Sequence, residues 1–230
     1  MAFRGKKYKS VASKVDAETQ YTLEGALKFL KDNQTTKFDS TAEIAFRLGV
    51  DPTKSDQAVR GTVTLPNGTG KKVTVLVFAS GPAADAAREA GADFVGYEDM
   101  LEKVKGGFTG FDVAIATPDA MKEVRKLGKV LGPRGLMPNP KTGTVSDDTA
   151  SAVKACKAGR VEYRMDRNGN VMVPFGKMSF EAEALKGNAR AVIDALVAAR
   201  PAAAKGVYIK RTTITSTMGP GLRIDPREIA

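Results

Sequence analysis

The chain has no histidine, no tryptophan and a single cysteine among 230 residues. Without imidazole there is no Ser/His/Asp or Cys/His arrangement, and both the usual general base and the commonest metal ligand are missing. One thiol, Cys156, excludes an internal disulfide and fits a reducing compartment. In "AVKACKAG" it stands at helical spacing from Val153 and is expected to be buried. The missing tryptophan weighs against an aromatic sugar platform. Long apolar runs are also missing, since none approaches the ~20 residues of a membrane span. The start, "MAFRGKKYKSVASKV", is basic but has no apolar h-region, so it does not read as a secretory signal. It is expected to be either a solvated tail or a basic arm along phosphates.

Positive charge is abundant. Lys and Arg outnumber Asp and Glu by 36 to 26, giving a net charge of +10 and a pI near 9.6. That balance points to a polyanionic partner, nucleic acid or an anionic surface. With 42% hydrophobic residues the chain can bury a core, as one large domain or two small ones.

The hydrophobic pattern changes style twice. In "YTLEGALKFLKDN", Leu23, Ala26, Leu27 and Leu30 form a helical stripe that Thr22 can cap. "TAEIAFRLG" and "AVRGTVTLP" alternate like half-buried strands, with Val59, Val63 and Leu65 on one side of the second. From residue 71 the runs are denser. "KKVTVLVFA" and "FDVAIAT" read as strands covered on both faces, separated by "AADAAREAGA", a short strand at "DFVGY" and a helix near 100–104. "PDAMKEVRKLGKVL" is predicted to be a further helix, with Pro118 in its first turn. After Gly159, "RVEYRMDRNGNVMVPFG" predicts a β-hairpin through Asn168-Gly169. A helix over about 180–200 follows, with Leu185, Ala189, Val192, Ile193 and Leu196 on one stripe, and then a last strand rich in threonine. Val207/Ile209 and Ile214 have opposite parities, which leaves the faces of that strand open.

These patterns predict a mixed α/β and α+β protein of two domains. An outer two-layer α+β domain is built from both chain ends, 1–66 plus 160–230. An α/β domain, 67–159, is inserted into it. Gly68, Gly70 and Gly159 lie in the two connections, 67–70 and 158–160, which can act as a hinge. Residues 1–66 carry a net +3, 67–159 a net +2 and 160–230 a net +5, so the outer domain is expected to meet the polyanion.

Enzyme chemistry finds little support. "NGTGKK" lacks the first glycine of a phosphate loop and leads into a strand, and "ASGPAAD" lacks the dinucleotide pattern. Asp147 and Asp148 suit a helix N-terminus better than a carboxylate pair. No cofactor or metal is expected. Basic and hydroxyl residues, by contrast, line up on strands. One face carries Thr41 and Arg47 together with the acidic Glu43, preceded by Lys37 and Phe38; Arg164 and Arg167 flank Asp166, and Lys210 and Arg211 lie on the last strand. Such a face can contact 2′-OH and phosphate groups. It equally fits a solvated sheet face with Phe38 in the core. In "VLGPRGLMPNPKTGTV", residues 130–145, three prolines and three glycines stiffen a long loop carrying Arg134 and Lys141.

Taken with "TTKFD", "SDQAVRGTVTLPNGTGK", "KAGRVEYR", "AKGVYIK" and "TSTMGPG", that loop closely resembles the bacterial ribosomal protein L-one family, from about residue 8 to 225. Met172 departs from it, standing where some members have histidine. The resemblance implies the same domain split, with a Rossmann-like three-layer inserted domain. It implies a non-catalytic, cytoplasmic ribosomal protein, monomeric when free and not bound to membranes, on the mobile rRNA stalk of the large subunit. It places RNA contacts at Lys37, Phe38, Thr41 and Glu43, at Arg164, Asp166 and Arg167, and at Thr217, Met218 and Gly219. It further implies repression through the protein's own operon mRNA and movement with tRNA leaving the exit site. Whether loop 132–143 touches tRNA or packs on its own protein is open at this stage.

Overall fold

The computed structural model describes residues 5–16 and 18–228, and the side chains of these apart from Ser55 and Lys141. The described part of the basic start is ordered as a helix, α1 (Lys6–Ala12), with Val11 buried. A tail reading therefore fails there, because Val11 and Val15 give the segment an apolar anchor.

Helix α2 (Leu23–Asp32) begins at Thr22, whose hydroxyl accepts the Gly25 N–H at 3.2 Å. Its buried stripe is the expected one, Leu23, Ala26, Leu27 and Leu30. Strand β1 (Thr41–Leu48) buries every second residue, and β2 (Arg60–Thr64) continues the chain. The middle segment then runs through β3 (Val75–Phe78), α3 (Pro82–Glu89), β4 (Phe94–Gly96), α4 (Glu98–Lys105) and β5 (Val113–Ala116). The single helix expected after Pro118 is broken. Helices α5 (Met121–Val124) and α6 (Gly128–Leu131) are separated by a 3-10 turn over Arg125–Leu127. The break falls just before Gly128, the residue type least able to hold helical geometry apart from proline. Helix α7 (Thr149–Lys157) is capped by Asp148, which accepts the Ser151 N–H at 3.0 Å. Cys156 is buried, and burial raises its thiol pKa. The chain closes with β6 (Arg160–Arg164), β7 (Asn170–Lys177), α8 (Ala182–Ala198), β8 (Ile209–Ser216) and β9 (Leu222–Arg223).

Contacts divide the chain into two units, Met1–Gly70 with Val161–Ala230, and Lys71–Arg160. In the middle unit β4, β3 and β5 form a parallel sheet in that order. Val75 and Val77 pack on the α3/α7 side, while Leu76 and Phe78 pack against Val104, Val124 and Leu131 on the other. In the unit made of both ends, an antiparallel sheet has the order β7-β1-β8-β9. Helices α2 and α8 cover one face of it, and Ile44, Phe46, Leu27 and Val192 meet in the core.

The expected hairpin does not form. The turn at Asn168-Gly169 is present, but β6 pairs with β2 in a separate two-stranded sheet and β7 pairs with β1. Asp166 explains the divergence. Its carboxylate accepts the backbone N–H of Asn168 at 2.8 Å and of Asn170 at 2.7 Å, and the Asn170 side chain at 3.0 Å. Those bonds close a local turn, and the backbone beyond it is free to pair elsewhere. The parity conflict in the last strand is resolved by a β-bulge. Arg47 pairs with Arg211 but Leu48 with Ile209, so Lys210 is an extra residue and the buried parity switches across it.

One buried polar residue, Asn188 on α8, is absent from the stripe read in the sequence. Its Oδ1 accepts the Asn67 N–H at 3.0 Å, and its Nδ2 donates to the Gly68 and Phe175 carbonyls at 2.9 and 2.8 Å. Phe175 is the residue skipped at a register shift opposite Ala42 and Glu43, so its carbonyl needs a partner outside the strand ladder. Asn188→Ala is expected to strand these groups and cost about 2–4 kcal/mol. Urea unfolding should show it as a lowered midpoint with an unchanged slope.

Candidate nucleic-acid interface

Among the described residues, the face of the four-stranded sheet opposite α2 and α8 is open to solvent along Arg47, Met172 and Arg211. Register builds it in rows. Arg211, Arg47 and Asn170 form one row, and Arg223, Thr213, Ala45 and Met172 the next. Thr215, Glu43 and Pro174 form a third. The first two rows line an open groove of about 580 Å³. Arg47 is held in it by the Asn168 carbonyl and by Asn170 Oδ1 at 3.2 Å. Met172, at 64% exposure, stands in the groove as an apolar surface. Arg211 and Arg47 give this face its positive end.

The other end of the face is organised by the turn after β8. Gly219 donates its N–H to the Ser216 carbonyl at 2.8 Å, closing Ser216–Gly219. Met218 has a φ of 64°, the only described non-glycine residue in the left-handed region. Such a conformation costs about 1–2 kcal/mol relative to ordinary backbone. It leaves Met218 71% exposed, near Phe38, which is 57% exposed. Phe38 is therefore not a core residue. A Cβ on Gly219 would lie 2.4 Å from Ser216 Oγ and 3.2 Å from the Ser216 carbonyl oxygen, so a larger residue there would have to displace the Ser216 side chain.

The remaining expected site residues divide by what their side chains do. Thr217 Oγ1 accepts the Thr41 N–H at 3.1 Å and donates to the Thr41 carbonyl at 3.3 Å. Lys177 Nζ donates to Thr41 Oγ1 at 2.9 Å. Thr41 and Thr217 thus lock the turn to β1, and Thr35 Oγ1 adds a bond to the Met218 carbonyl at 3.2 Å. Lys37 is exposed beside Phe38, and Glu43 lies on the open face. Arg164 and Arg167 are exposed at the divergence of β6 and β7, while Asp166 spends both carboxylate oxygens on its own turn. Its pKa is held below the usual carboxylate value, chiefly by the Asn170 backbone bond.

Asn170, Thr213 and Arg223 were missed in the sequence. The available signal for Arg223 was the short alternation Leu222, Arg223, Ile224, whose flanking residues are buried. In the middle unit, Arg134 is tied to Thr109 Oγ1, and Leu136 and Met137 pack on the core. The Lys141 side chain lies outside the described residues. The proline-rich loop is thus seated on its own unit. Among the described residues no group of three or more His, Cys, Asp or Glu could hold a metal ion, and no helix is long and apolar enough to cross a membrane.

A family model described as the ribosomal protein L1p/L10e family matches residues 30–220. The match spans most of the chain, and the chain belongs to that family. It is a family of structural ribosomal proteins that bind rRNA, not a family of enzymes.

Two outcomes follow for the site. Met218→Gly should relieve the left-handed backbone and raise stability by about 0.5–1 kcal/mol, the strain relieved less the entropy glycine adds to the unfolded chain. Thermal unfolding measures this. Asp166 has a depressed pKa, so its contribution to the turn is complete above the unfolded value of 3.8 and is lost as pH falls through the lower folded value. The Asn168 and Asn170 amide resonances should therefore shift together only below pH 3.8.

Proposed function

We propose that this chain forms the mobile stalk of the large ribosomal subunit by laying its open sheet face and the Ser216–Gly219 turn on a structured rRNA segment. The observation that carries the reading is Met218. Its strained backbone presents an apolar side chain next to Phe38, at the edge of a basic sheet face. A surface of threonine hydroxyls, arginines and the exposed apolar groups Phe38, Met172 and Met218 suits RNA, whose wide minor groove offers 2′-OH, sugar and phosphate rather than a readable major groove. Lys37, Phe38, Glu43, Arg164, Arg167 and Met218 touch RNA in this reading. Thr41, Asp166, Thr217 and Gly219 hold the shape that they need.

The same surface would bind a similar fold in the protein's own operon mRNA, so that free protein represses its own translation once rRNA is saturated. The middle unit, through the Arg134 loop, would face tRNA in the exit site. Movement would be absorbed at Gly68, Gly70 and Gly159, whose φ values of 68°, 70° and 99° only glycine adopts readily.

Titration of the large-subunit stalk rRNA at several salt concentrations tests the assignment. Met218→Ala should weaken binding by about 1–3 kcal/mol with an unchanged salt slope, because no charge is lost. Arg167→Gln should flatten the slope by about one phosphate contact. If folded Met218→Ala binds like the parent, the turn is not the recognition surface.

A further inference from the structure

Helix α1 borders the Phe38/Met218 corner, and the rRNA reading above gives it no role. A cleft of about 510 Å³ opens there, lined on one side by Lys7 and Tyr8 and on the other by Thr35, Phe38, Met218 and Gly219. The helix is seated rather than frayed. Val11 is buried, Val15 packs on the core, and Lys14 Nζ donates to Asn33 Oδ1 at 3.0 Å, next to the C-terminus of α2. The wall it supplies is therefore held at a set distance from Phe38.

The chemistry of the cleft is specific. Two aromatic rings and a thioether offer flat or polarisable surfaces, and none of the described lining residues is acidic. Lys6, Lys7 and Lys9 gather positive charge on the same helix. An apolar slot with a cationic rim matches a nucleotide, with its base against aromatic and thioether groups and its phosphate toward an ammonium. The cleft is continuous with the proposed RNA surface through Phe38 and Met218, so RNA lying on that surface passes its mouth, where Lys7 can meet a phosphate. We propose that this cleft takes one unstacked nucleotide of the bound RNA, its base packed between Tyr8 and the Phe38/Met218 pair and its phosphate beside Lys7. The inference rests on the rRNA reading and extends it to α1.

The absence of tryptophan makes the test direct, because Tyr8→Trp introduces the only indole in the chain. Titrating Tyr8→Trp with the stalk rRNA should quench that emission, with the same midpoint as binding measured by filter retention. Tyr8→Ala, shown folded by circular dichroism, should bind about 5- to 100-fold more weakly with an unchanged salt slope. Tyr8→Phe should bind like the parent, and Lys7→Gln should lower the salt slope. If the parent binds stalk RNA while Tyr8→Trp emission stays constant, or Tyr8→Ala binds as tightly as the parent, the cleft is not a nucleotide site and the rRNA reading survives. If the parent itself does not bind stalk RNA, both fall.

Discussion

Asn188 holds three backbone groups of the outer unit with one amide. Its position is constrained from two sides. The bulge that lets β7 follow β1 past Ala42 leaves the Phe175 carbonyl outside the ladder, and the chain leaving β2 presents the Asn67 N–H and the Gly68 carbonyl. One side chain with one acceptor and two donors matches that set, and the pairing also fixes which amide atom is oxygen. A hydrophobic residue would fit the α8 stripe but leave the buried Phe175 carbonyl, and the part-buried Asn67 and Gly68 groups, without this partner. The sheet edge, the second helix and the exit toward the middle unit are thus joined at a single point.

The open sheet face depends on that closure. With α2 and α8 fixed on one side, alternation in β1 sends Thr41, Glu43 and Arg47 to the other. Cross-strand register then sets which groups stand side by side, so Arg47 meets both Asn170 and Arg211. The turn after β8 is treated differently from the sheet. Its shape is over-determined by the Thr41–Thr217 pair, the Thr35 bond and the packing of Gly219 on Ser216, and those bonds sustain the left-handed backbone at Met218. Stability is given up at one residue, and its side chain points outward.

Much of this was legible from residue order. Helix stripes such as Leu23, Ala26, Leu27 and Leu30, strand alternation in β1, the dense apolar runs of β3 and β5, and the Asp148 cap all follow from periods and capping chemistry that operate within about ten residues. Composition excluded histidine chemistry and pointed to a polyanion. The family resemblance rested on long matched segments, and the family model agrees over residues 30–220.

Pairing between distant segments was not legible. Asn168-Gly169 predicts a turn because a turn is local, but which strand each arm joins depends on β1 and β2, more than a hundred residues away. The bulge at Lys210 and the role of Asn188 have the same origin, since both answer backbone groups that another strand leaves unpaired. Likewise the sequence named Phe38 and Met218 separately, while their meeting with Tyr8 at one cleft needed the fold. Local propensity and periodicity determined the elements and the charge. The tertiary structure decided strand partners, faces and which exposed groups stand together, because unpaired backbone groups and side-chain neighbours are set by whatever arrives from elsewhere in the chain.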